Sequence, residues 1–149
     1  YQAEIQRIKD EQEAAQKEVI EVINADLEIF KVGTSDLIMT TPEGLKYIMH
    51  DEGNGAQGEA GKLALVDYYG VFLDGEMFDN SYRSGRPFQF TVGRQEAISG
   101  WDLAIPLLKE GGNATIYVPY TLAYGEAGRP PVIPVKTDLV FHVALRTVK

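Results

Sequence analysis

The sequence contains no cysteine among its 149 residues, so disulfides, zinc sites built from thiolates and thiol nucleophiles are excluded. It has only two histidines, His50 and His142, and they lie in or beside predicted strands without the spacing of a metal-ligand pair. The G-x-S-x-G elbow, the phosphate-cradling glycine loop and the HExxH motif are also missing. A hydrolase, kinase or oxidoreductase therefore has almost no support, and no metal site is expected.

Basic residues are scarce, with 14 Lys and Arg against 22 Asp and Glu, which gives a net charge of −8. Binding to the phosphates of nucleic acid requires clustered cations, so nucleic acid is not expected as a partner. The acidic excess is uneven. Residues 1–30 hold eight acidic and three basic residues, and the remaining 119 residues carry a net charge of only −3. This asymmetry predicts a boundary near residue 30.

Long apolar runs are missing as well: no run approaches the roughly 18 to 20 residues of a transmembrane helix. Residues 1–32 instead lack Gly and Pro and space their apolar residues for a helix, about 45 Å long, that Gly33 would end. Gln12 and Asp26 interrupt the apolar stripe, which is strongest between Val19 and Phe30. We expect the second half to pack on its own domain or a partner and the first half to project as an acidic spacer. The alternative is a dimerising helix.

After a linker the apolar pattern changes to period two, which is typical of strands. Asp74-Gly75 is a strong hairpin signal, and Pro106 keeps the one helical candidate, 98–108, short. The predicted fold class is α+β with an antiparallel sheet. The alternating segments are Lys62–Leu73, Phe88–Val92, Ala114–Val118 and Leu139–Leu145.

The segment Leu122–Pro134, LAYGEAGRPPVIP, is too rich in Gly and Pro to be a strand or a helix. It nevertheless carries Tyr124, Val132 and Ile133, which cannot all be core residues of a surface loop. We expect an apolar loop wall over a concave aromatic site.

Five blocks in a fixed order closely resemble the FKBP-type peptidyl-prolyl cis-trans isomerases. They are VDYYGVFLDGEMFDNS (66–81), GRPFQFTVG (85–93), EAISGWDLAIPLLKEGG (96–112), LAYGEAGRPPVIP (122–134) and DLVFHVAL (138–145). The likeness covers about residues 44–148. The predicted organisation is a helix over 1–32 and a linker over 33–43, followed by an isomerase domain over 44–149 that the resemblance implies.

The resemblance implies a twisted antiparallel sheet wrapped around a short helix, with a proline pocket between them. Trp101 would be the floor of this pocket. The catalytic residues carried over by motif are Tyr68, Phe78, Asp79, Trp101, Tyr124 and Phe141. The substrate-binding residues are Phe88, Glu96, Ala97, Ile98, Arg129 and Ile133, with Tyr124 and Ile133 overhanging the pocket.

Three positions depart from the pattern of the family. Ala97 stands where a larger aliphatic is usual, and Arg129 stands where some members have histidine. Ser84 replaces an arginine that often pairs with the Asp79-equivalent, so Arg83 or Arg86 would have to supply that pairing. The pocket aromatics are intact, so the resemblance implies an active isomerase that needs no cofactor.

The resemblance also implies proline-containing polypeptides as clients and macrocyclic immunophilin ligands as further partners. The helical extension before Gly44-Leu45-Lys46-Tyr47 is similar to that of bacterial envelope members. We therefore expect a periplasmic or cell-envelope protein that assists folding, with a lipid anchor upstream of Tyr1 as one arrangement and a homodimer as another. The alternative function is a catalytically weak module that binds proline segments and acts as a chaperone through its helix.

Overall fold

The structure is a computed structural model that describes all residues 1–149. Helix α1 spans Gln2–Val32 and ends at Gly33, whose φ of 81° is the left-handed conformation that glycine adopts without penalty. The Gly33 N–H donates to the Ile29 carbonyl oxygen at 3.0 Å. No helix in the structure has both the length and the apolar character needed to cross a membrane.

One antiparallel sheet contains seven strands: β1 Met39–Thr40, β2 Lys46–Asp51, β3 Leu63–Val71, β4 Met77–Asn80, β5 Phe88–Thr91, β6 Asn113–Val118 and β7 Leu139–Val148. Their order in the sheet is β1-β2-β6-β7-β3-β4, and β5 pairs with β3. Helix α2, Ser99–Ala104, packs against this sheet, which confirms the predicted FKBP-like fold class.

Local boundaries differ from the sequence-based ones for identifiable reasons. The predicted helix over 98–108 is split into α2 and a 3-10 turn, Ile105–Leu107, because Pro106 has no N–H to continue the α-helical pattern. Strand β1 falls inside the predicted linker and pairs Met39 with Tyr47 of β2. The division into linker and isomerase domain stays a prediction.

Both faces of the sheet are covered. Along β7, Leu139, Phe141, Val143 and Leu145 belong to the core on the α2 face, and Val140 belongs to a second core on the other face. Strand β3 alternates in the same way, with Ala64 and Val66 toward α2 and Tyr69 and Val71 away from it. The central strands are therefore buried on both sides.

The second core is the surface on which α1 docks, as expected for its second half. Ile23, Leu27 and Phe30 are buried there against apolar side chains of the sheet. Each large apolar side chain removed from water in this way contributes about 1.5–3 kcal/mol. The contact joins α1 to the sheet of the same chain.

Asp26, which interrupts the apolar stripe of α1, is 4% exposed within this contact. Its Oδ2 lies 2.6 Å from Nε2 of His50 on β2, so the carboxylate has a partner. His142 is also buried on this face, with Nε2 3.1 Å from Asn113 Oδ1 and no partner for Nδ1. The two histidines thus belong to a polar cluster between α1 and the sheet.

The first half of α1 is exposed through residue 14. It does not project freely along its whole length, however. Ile8, Gln12 and Ala15 border a groove of about 290 Å³ whose other side is the loop after β4, including Tyr82 and Gly85. The association of α1 with the domain therefore reaches further toward its N-terminus than the apolar stripe predicts.

Candidate active site

A cavity of about 650 Å³ opens on the α2 face of the sheet. Strands β3, β4, β5 and β7 supply its aromatic walls, the N-terminus of α2 supplies one rim, and the loop after β6 supplies another. The lining residues are Tyr68, Phe78, Asp79, Phe88, Gln95, Glu96, Ala97, Ile98, Ser99, Trp101, Ala123, Tyr124, Arg129 and Phe141. Eleven of the twelve residues predicted from the sequence are therefore brought together; Ile133 is not.

Trp101 occupies the centre of this aromatic group and is 4% exposed. Its ring centroid lies 5.0 Å from that of Tyr68 and 5.5 Å from those of Phe88 and Phe141, in edge-to-face arrangements. Such pairs add about 0.5–1.5 kcal/mol each beyond their burial. The indole N–H is buried without a partner. Three aromatic side chains from three strands therefore pack against Trp101, the floor of the cavity.

Two supporting residues were missed from the sequence. Phe90 is buried with its ring centroid 5.8 Å from that of Trp101. Residues two apart on a strand share a face, so the placement of Phe88 in the wall was the signal that could have found Phe90. Gly70 faces Phe141 in the β3–β7 register, and a Cβ there would lie 2.7 Å from the Phe78 ring. Glycine at 70 thus lets the Phe78 and Phe141 rings approach to 5.4 Å.

The Asp79 carboxylate forms the polar edge of the cavity. Its Oδ2 accepts a hydrogen bond from the Tyr68 hydroxyl at 2.7 Å, and its Oδ1 accepts from Arg83 Nη2 at 2.7 Å and from the Asn80 N–H at 2.9 Å. Burial, and then the bond to Asp79, raise the pKa of Tyr68 above its ordinary value. The Tyr68 hydroxyl is therefore a protonated donor at neutral pH.

Arg83, rather than Arg86, supplies the cation that the sequence left open. Ser84, at the position where the family often has arginine, instead donates its hydroxyl to the Ser81 carbonyl oxygen at 2.9 Å. The arginine that pairs with Asp79 therefore stands one residue earlier in the loop than in the family pattern, and the carboxylate still has a charged partner.

The rim at α2 offers an unpaired backbone donor. The N–H of Ile98 makes no hydrogen bond within the protein, while its carbonyl oxygen accepts from the Trp101 N–H at 3.0 Å to begin the helix. Glu96 uses Oε1 to accept from the Thr91 N–H at 3.0 Å, which fixes this rim to β5. Gln95 and Ser99 also line the cavity and were missed, although they flank the predicted residues 96–98.

The three large apolar residues that drew attention to the loop 122–134 lie in three different environments. Tyr124 lines the cavity, and its hydroxyl has no hydrogen-bond partner in the protein. Val132 is 54% exposed, whereas Ile133 is 3% exposed and packs in the main core. The prediction that Ile133 overhangs the pocket is therefore wrong about its position: Ile133 anchors the loop from below. Ala123, beside Tyr124, lines the cavity and was missed.

The chemistry available in this cavity is binding and desolvation rather than covalent attack. No lining hydroxyl is hydrogen-bonded to a histidine. The Tyr68 hydroxyl is bonded to the Asp79 carboxylate, but its raised pKa keeps it protonated, so it is not activated as a nucleophile. What remains is an aromatic-walled cavity with two unpaired neutral donors at its rim, the Ile98 N–H and the Tyr124 hydroxyl. The charged groups in its lining are the carboxylates of Asp79 and Glu96 and the guanidinium of Arg129.

Comparisons with known proteins agree on one family. The family model described as FKBP-type peptidyl-prolyl cis-trans isomerase matches residues 54–146. FK506-binding protein 1 of Debaryomyces hansenii is 37% identical over 111 residues, which are 74% of this chain and 99% of that protein. FK506-binding protein 4 of Dictyostelium discoideum is 40% identical over 108 residues, or 72% of this chain, and this chain spans only 29% of its length.

The N-terminal helix is included in a structural match. The crystal structure of FkpA from Escherichia coli is similar with a TM-score of 0.74 and 33% sequence identity. The match covers 99% of this chain and 69% of that chain. The similarity therefore extends across α1 as well as the sheet and the cavity.

Proposed function

This chain belongs to the FKBP-type peptidyl-prolyl cis-trans isomerases, and from that premise we propose that its aromatic cavity rotates X–Pro bonds in polypeptides. The observation that carries the proposal is the buried Trp101, enclosed by Tyr68, Phe88 and Phe141. A proline ring placed on this floor would have its amide near the two unpaired rim groups.

The reaction needs no bond to be made or broken. Rotation about an X–Pro bond meets a barrier of about 18–20 kcal/mol because the twisted amide loses resonance. Uncatalysed exchange takes roughly 10–100 s at 25 °C. The planar amide is the more polar form, so an apolar cavity that removes water from it disfavours the ground state more than the twisted state. Interactions made only with the twisted amide lower the barrier further.

The polar groups have distinct proposed roles. The Ile98 N–H and the Tyr124 hydroxyl would donate to carbonyl oxygens of the substrate and fix its backbone across the cavity. Asp79 would act on the carbonyl side of the amide, with Tyr68 and Arg83 holding the carboxylate in place through bonds of 2.7 Å each. A positioned carboxylate needs no reorganisation when the amide dipole rotates.

The proposed setting is the bacterial cell envelope, where the protein would assist the folding of proline-containing clients. The helical N-terminal extension supports this setting, because it resembles that of envelope members and is included in the match to FkpA of E. coli. The α1 helix lies on the face of the sheet opposite the cavity, so it leaves the cavity accessible to a client.

The decisive experiment is cis–trans exchange of peptides with an apolar residue before proline, followed by NMR with and without protein. We expect acceleration by the wild type and near-complete loss in Trp101→Ala, because the floor is removed. Val135→Ala, at an exposed apolar residue outside the cavity lining, is the control and should retain the wild-type rate. Folded wild type that matches the uncatalysed rate on several peptides would favour a binding module instead.

A further inference from the structure

The charged side chains that line the cavity are not equivalent. Asp79 is paired with Arg83, and Glu96 holds a backbone N–H with Oε1. Arg129 lines the cavity, and its guanidinium makes no hydrogen bond or ion pair within the protein. Its guanidinium carbon lies 5.8 Å from the centroid of the Tyr124 ring, within the range of a cation–π contact. One uncommitted cation therefore lies beside the residue proposed to bind the substrate backbone.

The position of Arg129 is fixed by its backbone. Its N–H donates to the Ile133 carbonyl oxygen at 2.9 Å, and the Ile133 N–H donates back at 2.9 Å. Ile133 is buried in the main core, so this pair ties Arg129 to the core. Gly128 has a φ of +66°, and a Cβ there would overlap the Pro134 carbonyl oxygen, so the turn leading to Arg129 requires glycine. The backbone of Arg129 is therefore already ordered, so less conformational entropy is lost when the Arg129 guanidinium binds a ligand.

We propose that Arg129 makes this cavity selective for proline segments that carry an acidic side chain within two residues of the proline. The proposal rests on the proposed function and names a substrate class for it. A guanidinium presents planar donors that match a carboxylate in a bidentate pair, and such bonds are stronger than neutral ones. An extended chain advances about 3.3–3.6 Å per residue, so a side chain one or two residues from a proline on Trp101 would stand roughly 3–7 Å further along the chain, toward the rim that carries Arg129.

The net charge of −8 opposes this selectivity at long range, because it repels an acidic peptide. The test must therefore separate the local contact from the overall field. Arg94 provides the matched control: it is an exposed arginine outside the cavity lining, and its replacement by Gln changes the net charge as much as Arg129→Gln does.

The experiment compares peptides that differ only by Glu or Gln, placed either two residues before the proline or directly after it. For each pair, the ratio of kcat/KM and the ratio of affinities measured by calorimetry are determined at one fixed ionic strength. We expect the wild type to prefer Glu by roughly two- to fivefold at one of the two positions, as for an exposed ion pair. Arg94→Gln should keep this ratio, and Arg129→Gln should bring it to one or below.

The outcomes distinguish the two proposals. Equal acceleration of Glu and Gln peptides, or a preference that survives Arg129→Gln, would overturn the selectivity and leave the isomerase intact. If neither peptide were accelerated, the proposed catalysis would fail, and the affinity ratios alone would decide whether Arg129 recognises the carboxylate. Affinity ratios near one at both positions would then overturn this inference as well.

Discussion

The Tyr124 hydroxyl offers a test of the site at the scale of one atom, since it lies at the cavity and has no partner in the protein. Removal of one neutral hydrogen bond costs about 0.5–1.5 kcal/mol. We therefore expect Tyr124→Phe to fold normally and to catalyse exchange several-fold to about tenfold more slowly. The measurement is kcat/KM on an apolar-Pro peptide.

Tyr120→Phe is the matched control for this substitution. Tyr120 is near Tyr124 in the chain, its hydroxyl makes no hydrogen bond in the protein, and its side chain does not line the cavity. An unchanged rate in Tyr124→Phe would show that the Tyr124 hydroxyl does not contact the substrate in the transition state.

Residues of the site could be predicted where a motif carries them and not where a contact between distant segments decides. Tyr68, Trp101 and Tyr124 lie in blocks whose resemblance to the family identified them. The sequence could not choose between Arg83 and Arg86, because that choice depends on how the loop after β4 turns toward Asp79. It also could not show that Ile133 points into the core, since in a loop no periodicity relates position to burial.

Helix α1 permits a test at the scale of an element, because its two halves differ in packing. Deletion of residues 1–18 removes mainly exposed side chains and should leave the melting temperature and the isomerase rate nearly unchanged. Deletion of residues 1–32 exposes Tyr69, Val71 and Val140 and should lower stability by several kcal/mol, at about 1.5–3 kcal/mol per large apolar side chain lost. Thermal melts and light scattering on both truncations measure this.

Single substitutions provide a milder version of the same comparison. Ile23→Ala, in the buried half, should destabilise the protein by about 2–5 kcal/mol, whereas Ile8→Ala, in the exposed half, should have little effect. The spacer interpretation of the first half fails if deletion of residues 1–18 alone converts a dimer into a monomer. In that case the dimerising helix is the better description.

Elements could be predicted from local signals, and their assembly could not. The absence of Gly and Pro before Gly33 predicted the helix. The alternation of apolar and polar residues, together with the Asp74-Gly75 turn, predicted the central strands. Strand β1 has two residues and too little pattern to be found. The pairing of Asp26 with His50 joins residues 24 apart across two elements, so a break in the apolar stripe was all that the sequence displayed.

The polar cluster between α1 and the sheet leads to a prediction for the stability of the whole molecule. Burial, and then the charge of His50, lower the pKa of His142 from 6.5 to about 4, although the Asp26 carboxylate opposes the shift. Between these pH values the unfolded chain binds more protons than the native one, so acidification favours unfolding. The neutral state of buried His142 thus adds about 3 kcal/mol, in order of magnitude, to the free energy of unfolding relative to acidic conditions. This contribution is complete above pH 7 and is lost by about pH 4.

Urea unfolding of the wild type and of His142→Gln between pH 7.5 and 4 measures this contribution. The difference between the two proteins isolates His142 from the carboxylates that titrate at the acidic end. We expect the wild type to lose more stability than the variant as the pH falls through 6. Parallel curves over that interval would show that His142 does not couple protonation to folding.

The separation of the two faces of the sheet has an optical consequence. The chain contains a single tryptophan, Trp101, and it forms the floor of the cavity. The aromatic residues of the contact between α1 and the sheet are Phe30, Tyr69, Tyr82 and Tyr117. Indole fluorescence, excited selectively, therefore comes from the cavity alone. We expect a proline segment bound in the cavity to alter that emission without any label, and the docking of α1 on the far side of the sheet contributes no indole signal of its own.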